Sequence, residues 1–194
     1  MRILLMTRFY RSGQTTHVLD LCLELLQLGH RVLLAIADLN DVIFLQKLKQ
    51  AAVPHLLTAK QDKLHRQLTR WKPEIIHNHS AHTLPVAVQL GRLLNIPTVS
   101  TVHYLDFEPR ELLEEQTAVI LISQEMRWHF ADLRVPAFVV ENGVRLAPLR
   151  TRAKRWRQLA LLLGQETPEK SENFYQLSQH LILWGWEVLA AGNW

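Results

Sequence analysis

The sequence holds a single cysteine among 194 residues. No disulfide can therefore form within the chain, and a reducing, cytoplasmic setting is the expectation. It also lacks any run of about 18 apolar residues, which excludes a membrane-spanning helix. The opening stretch Met1-Arg2-Ile3-Leu4-Leu5-Met6 is too short for a signal-peptide core, and polar Thr7-Arg8 follow without a small-residue cleavage site. Glycine is sparse, at seven residues, and no G-x-G-x-x-G run occurs, so the dinucleotide-binding fingerprint is missing. A strong charge of one sign is missing too: 22 Lys and Arg stand against 18 Asp and Glu, a net +4.

That small excess is uneven. Residues 1–144 carry 15 basic against 14 acidic side chains, and residues 145–194 carry 7 against 4. Arg145, Arg150, Arg152, Lys154, Arg155 and Arg157 follow one another with no acid between them. Such a segment attracts phosphates, acidic lipid or nucleic acid, or else it is a solvated linker. No aromatic stacking ladder accompanies it, so nucleic acid is not an expected partner. With 48% hydrophobic and 21% charged residues, the composition fits one full globular domain plus a fraction of a second.

What is present is an alternation of short apolar runs with amphipathic stretches. Arg2 to Met6 reads as a buried strand, followed by a polar turn and a helix from Thr15 to Leu28. In that helix His17, Asp20, Glu24 and Gln27 fall on one face, which leaves Val18, Leu19, Cys22, Leu25 and Leu26 for the buried stripe. Gly29 stands where a left-handed cap is needed, and Val32 to Ala37 starts the next strand. This is a βαβ unit, whose right-handed crossover makes a parallel sheet the default. The pattern continues: a helix at 41–50 with Asn40 as N-cap, a strand at 53–57, and a helix marked by Leu64, Leu68 and Trp71. Strands at 75–77 and 98–102 flank a helix at 83–94. An acidic helix at 110–116 precedes a strand at 118–122, Ser123 caps a helix to Leu133, and a strand covers 137–140. Seven strands alternating with helices predict a doubly wound, Rossmann-like α/β domain over residues 1–144. The basic linker 145–157 then leads into a second βαβ unit over 158–194: a strand at 159–163, a loop at 164–171, a helix at 172–183 and a strand at 188–191. The helix-stop, strand-start logic of Leu28-Gly29-His30-Arg31-Val32 recurs at Trp184-Gly185-Trp186-Glu187-Val188.

In an open α/β sheet, ligands bind beyond the carboxyl ends of the strands. After the first strand come Arg8, Arg11, Ser12 and Gly13, a basic loop with a glycine at a helix start, suited to a phosphate or sugar. After the fourth comes His77-Asn78-His79-Ser80-Ala81-His82. Three histidines in six residues have the spacing of metal ligands, but no Cys or Asp lies nearby to complete a site. A polar strand end lining a cleft and a satisfied structural cluster are the other readings. After the fifth strand comes His103, the best single candidate for contact with a reacting group.

The order of these motifs resembles glycosyltransferases of family 4, which have the GT-B fold of two facing Rossmann-like domains. The loop-helix Ser12-Gly13-Gln14-Thr15-Thr16-His17, with Leu28-Gly29-His30-Arg31-Val32, is similar to the family's opening signature. Pro73 to His79, Ile96 to His103, Ile120 to Glu125, and Val140-Glu141-Asn142-Gly143-Val144 are similar to its later strands and interdomain hinge. The resemblance implies a first domain that binds the acceptor, a sugar or a lipid-linked molecule, and a second that binds most of the nucleotide-sugar donor. It implies transfer with retained configuration, no bound metal and no cofactor. It places Gly13 near the donor diphosphate and His103, as the catalytic-site residue, near the donor sugar. His17, His79 and Ser123 line the cleft, and Lys170 falls where the family uses a lysine on the donor phosphates.

The chain departs from the pattern at Ser12, where a glycine is usual, at Gln165, where an arginine is usual, and at Arg145, where an acid is usual. The family's pair of glutamates spaced eight apart is not found by Trp194, so the second domain is expected to be a truncated start and the chain to be inactive alone. The alternative is a degenerate, non-catalytic module that binds a sugar, a nucleotide or a partner protein. Peripheral contact with the inner face of a membrane through 145–157, and a homodimer through the exposed last strand, are further expectations.

Overall fold

The structure, a computed structural model, describes residues 1–9, 13–39, 42–58, 61–143, 159–165 and 168–193. The chain divides into two compact units, Met1–Leu146 and Ala147–Trp194.

The first unit is built on seven strands: β1 (Arg2–Phe9), β2 (Arg31–Leu39), β3 (His55–Leu56), β4 (Ile75–Asn78), β5 (Thr98–Val102), β6 (Ala118–Leu121) and β7 (Ala137–Val139). All pairings are parallel, in the order β3-β2-β1-β4-β5-β6-β7. Helices α1 (Gly13–Gln27), α2 (Val42–Gln50), α3 (Gln61–Trp71), α4 (Leu84–Leu94) and α5 (Gln124–His129) connect them. Apolar residues alternate sides along β1 and both sides are covered. Ile3 and Leu5 pack with Val18 and Cys22 of α1 and with Phe44 and Leu48 of α2. Leu4 and Met6 pack on the other face with Leu64 and Leu68 of α3 and with Ala87 and Leu90 of α4. A strand covered on both faces reads as an unbroken apolar run, and Ile3 to Met6 is such a run.

The buried stripe expected on α1 is there: Val18 and Cys22 are fully enclosed, and Leu19, Leu25 and Leu26 pack partly against the same core. The helix closes at Gly29, whose φ of 81° lets its N–H reach the Leu26 carbonyl and the next N–H reach that of Leu25. Ser123 caps α5 by accepting from the Met126 N–H at 3.2 Å. That helix ends at His129 rather than Leu133, because Phe130 turns into the core beside Leu113 and Val119 and the Arg110 guanidinium lies 4.6 Å from its ring. Residues 110–115 form a 3-10 turn instead of an α-helix, which puts Leu113 in the core and leaves the buried Gln116 to serve β5. Asn40, expected as a cap, lies outside the described residues.

The close seating of α4 on β5 yields a test. A Cβ added at Gly91 would run into the Thr98 methyl, on a stiff β-branched side chain that is itself buried. Gly91→Ala is expected to destabilise the protein by about 1–2 kcal/mol, overpacking outweighing the gain in helix propensity. Adding Thr98→Ser, which removes that methyl, should recover most of the loss in urea denaturation.

The second unit contains β8 (Leu159–Gln165), α6 (Pro168–Leu183) and β9 (Glu187–Asn193), with β8 and β9 parallel. The loop expected over 164–171 is shorter than that: β8 runs on to Gln165 and α6 begins at Pro168, a residue suited to a first helical position. Lys170 is therefore in the first turn of a helix and not in a loop. Gly185 repeats the role of Gly29, with φ 79°. No helix among the described residues is long and apolar enough to cross a membrane.

Candidate functional site

The strand order reverses at β1, which pairs with β2 on one side and β4 on the other. Loops leaving neighbouring strands part at such a reversal and open a crevice at the carboxyl end of the sheet. Three chain segments meet there: the start of α1 after β1, His79 after β4, and His103 after β5.

A buried polar network fixes the end of β4. Asn78 is fully enclosed. Its Nδ2 donates to the Ser80 carbonyl at 3.0 Å and to Ser100 Oγ at 3.3 Å, and its Oδ1 accepts from Thr83 Oγ1 at 2.6 Å. Ser100 in turn donates to Gln116 Oε1 at 3.0 Å. The 3-10 turn Ala81–Thr83 is held by this set and by the Ser80 hydroxyl, which accepts from the His82 N–H. The His79 N–H extends the sheet by donating to the Met6 carbonyl at 2.8 Å. Asn78→Ala would strand several of these groups in the interior, each costing about 1–3 kcal/mol. We expect a loss of about 3 kcal/mol in denaturation midpoint experiments, together with shifted ring resonances of His79.

Three imidazoles from separate parts of the chain converge beyond that network. His79 Nδ1 lies 3.2 Å from His103 Nε2, within hydrogen-bonding reach. The His17 ring, one turn into α1, has its centroid 5.1 Å from that of His103 and 5.6 Å from that of His79. A fourth ring, His77, stacks 4.1 Å from His79 and hydrogen-bonds Thr101 Oγ1 through Nε2 at 2.8 Å. Gln14, in the first turn of α1, ties the helix to the cluster: its amide donates to the His79 carbonyl and, at 3.1 Å, to Thr7 Oγ1.

Burial makes all four rings poor bases. Withdrawal from water, reinforced by the neighbouring imidazoles, pushes His77 down to about 3 and His79 well below the ordinary histidine value. Burial, and the repulsion that a second proton would meet beside the His17 ring, push His103 down to about 4. His17 is lowered by burial, with Asp20 opposing. The cluster is therefore neutral at pH 7, a set of hydrogen-bonding groups with free lone pairs and no positive charge.

Of the residues singled out in the sequence, His17, His79 and His103 come together, and Gly13 opens the helix whose second residue touches them. A Cβ at Gly13 would meet nothing within 4 Å, so open space lies in front of it. Arg8 Nε pairs with Asp38 Oδ2 at 3.0 Å, at the end of β2, and His82 Nε2 lies 4.0 Å from the same carboxylate. The three histidines of 77–82 thus part company, His82 leaving the cluster. Ser123 is used as a helix cap, and Asn142 and Gly143 are exposed beyond β7. Ser12, Arg145 and the basic 150–157 segment lie outside the described residues, as does the Lys170 side chain. Gln14 and Thr101 were not singled out as site residues. Only Gln14 carried a signal, its place directly after the glycine that opens α1.

A seven-stranded parallel sheet with helices on both faces, and polar groups gathered where its order reverses, defines a Rossmann-like domain of the kind found in GT-B glycosyltransferases. The Glycosyltransferase Family 4 profile matches residues 11–147, and the chain belongs to that family. No curated protein has a significant match to it. Among solved structures, the Anabaena Alr3699/HepE protein in complex with UDP and glucose superposes with a TM-score of 0.66 at 17% identity, covering 100% of this chain and 70% of that one. The lipopolysaccharide outer core galactosyltransferase WaaB, in its apo form, gives 0.67 at 12%, covering 100% and 68%. The UDP-GlcNAc 2-epimerase from Neisseria meningitidis, bound to UDP-GlcNAc, gives 0.61 at 10%, covering 100% and 66%. At these identities the likeness shows the fold, which transferases and epimerases share.

Proposed function

We propose that the protein takes part in transfer of a sugar from a nucleoside-diphosphate-sugar to an acceptor, with retention of anomeric configuration, the first unit forming the acceptor-side wall of the cleft. The observation that carries this reading is the meeting of His103, His79 and His17 with the start of α1 at the point where the sheet order reverses. Its support from relatives is the family membership and the structural neighbours solved with UDP and sugars.

In this reading each group has a physical task. The fifteen-residue α1 directs its N-terminal N–H groups and positive dipole end at the donor diphosphate, with Gly13 allowing close backbone approach and Ser12 next to it in sequence. The leaving diphosphate gains negative charge as the glycosidic bond breaks, so such donors act most strongly as the bond opens. His103, neutral and hydrogen-bonded to His79, presents its remaining ring nitrogen to a hydroxyl of the donor sugar. His17 and Ser123 line the acceptor side, and Arg8 keeps a positive charge near the crevice while paired to Asp38. Asn142 and Gly143 form the hinge, and Lys170 contributes to the donor phosphates. Turnover requires both walls of the cleft, so the chain by itself is expected to bind more readily than it transfers.

A second reading, a binding module without turnover, is favoured by Gln165, which removes a cation from the expected phosphate site. Calorimetry against a panel of nucleotide-sugars, nucleotides and free sugars, run beside an assay for released nucleoside diphosphate, separates the two. Transferase function predicts both binding and release, and a module predicts binding alone. Absence of both across the panel overturns the proposal. Vesicle co-sedimentation and sedimentation velocity test the two remaining partners of this reading, an anionic membrane surface and a second copy paired along β9.

A further inference from the structure

The histidine cluster has a property that sugar binding does not use. One ring nitrogen from each of His17, His79 and His103 lies within 4.8 Å of the other two. In a tetrahedral zinc site with Zn–N bonds of about 2.05 Å, nitrogens sit about 3.3 Å apart. The 3.2 Å between His79 Nδ1 and His103 Nε2 already matches one edge of that tetrahedron. The third corner is a ring nitrogen of the half-buried His17, within 4.8 Å of the other two and so required to close in by up to about 1.5 Å. The surroundings also suit a soft, borderline cation: three neutral imidazoles, no carboxylate among them, and the partly exposed His17 and His103 leaving a path from solvent.

We propose that His17, His79 and His103 form a binding site for a divalent transition metal of the zinc class, with a fourth position open to solvent. The ion enters as a ligand that occupies His103. If His103 serves the donor sugar, which rests on the function proposed above, metal and sugar exclude one another, and the metal acts as an inhibitor of transfer.

The binding step is tested without any sugar. Apo protein, stripped with chelator, is titrated with Co2+ and followed by visible absorption, then with Zn2+ in competition. The expected result is one ion per chain, with the intense bands of four-coordinate cobalt, displaced by an equivalent of Zn2+. His17→Gln and His103→Gln, both at half-buried positions, should each weaken binding by at least about tenfold, since even loss of a ligand's supporting partner costs about 10- to 100-fold. His82→Gln, which lies with Asp38 outside the cluster, should leave binding unchanged, and circular dichroism controls for folding. Absence of binding at millimolar metal, a six-coordinate spectrum, or affinity in the His17 and His103 variants unchanged from that of the unsubstituted protein overturns the site. Metal binding with no effect of saturating nucleotide-sugar on affinity keeps the site and removes the inhibitory role.

Discussion

Acidification from pH 7 to pH 5 is expected to destabilise the protein by about 4 kcal/mol. His77 and His103 hold folded values of about 3 and about 4, against an ordinary histidine value of about 6.5. Between those limits the unfolded chain takes up protons that the folded chain refuses. Stability is therefore complete above about pH 6.5 and falls as the pH drops toward 4. Each ring contributes up to about 1.4 kcal/mol per pH unit, or about 2 kcal/mol by pH 5. His79 acts in the same direction, from a position fully removed from solvent. Among the described residues the one carboxylate with a lowered value is Glu74, which is exposed; its hydrogen bond from the Arg2 N–H holds it below the usual carboxylate range, outside this window. Urea denaturation at pH 7, 6 and 5 reads the effect as a falling midpoint. His103→Gln cannot titrate and should flatten the slope by about one proton, whatever its offset at pH 7. A midpoint that stays level from pH 7 to pH 5 would mean the rings are solvated and the cluster is not assembled as described.

On the function proposed above, and in a form of the protein that turns over, replacing His103 by alanine is expected to lower kcat/KM for nucleotide-sugar by about 10²- to 10³-fold, the usual effect of removing a hydrogen-bond donor aimed at a reacting group. The loss should fall on kcat more than on KM, because the contact strengthens as the donor's glycosidic bond opens. His103→Gln keeps a donor and should restore part of the rate. His82→Ala, at the neighbouring Asp38 pair, should change the rate less than about twofold. Because His103 is already neutral, its titration should leave the rate level between pH 6 and pH 8. Released nucleoside diphosphate measures all of these. A His103→Ala variant with unchanged kinetics would remove His103 from the reaction and leave the cluster to metal binding or to structure.

Much of the fold is legible in the sequence alone. Each strand of the first unit was visible because both faces of a parallel sheet are covered, which forces a near-continuous apolar run at Ile3–Met6, at Val32–Ala37 and at Val119–Leu121. Gly29 and Ser123 were legible as stop and start signals because capping is local chemistry, settled within four residues. The helix ends that missed did so where distant packing overruled local preference. Phe130 left its helix for the core, and the acidic 110–115 segment tightened to a 3-10 turn to bury Leu113 beside β6.

The candidate site was legible only in pieces. His17, His79 and His103 were each picked out from their place after a strand or at a helix start, and topology alone sends such ends to one rim. Their grouping was not readable, nor was the loss of His82 to Asp38 or the tie from Gln14 to His79, since these depend on side-chain directions across 24 to 65 residues of chain. Composition and apolar period thus determined the parallel sheet and the rim where its loops gather. Tertiary structure decided which imidazoles share that rim and, by burying them, that they are neutral. Periodicity is imposed by neighbours along the chain, whereas proximity and dielectric are set by whatever else the fold brings alongside.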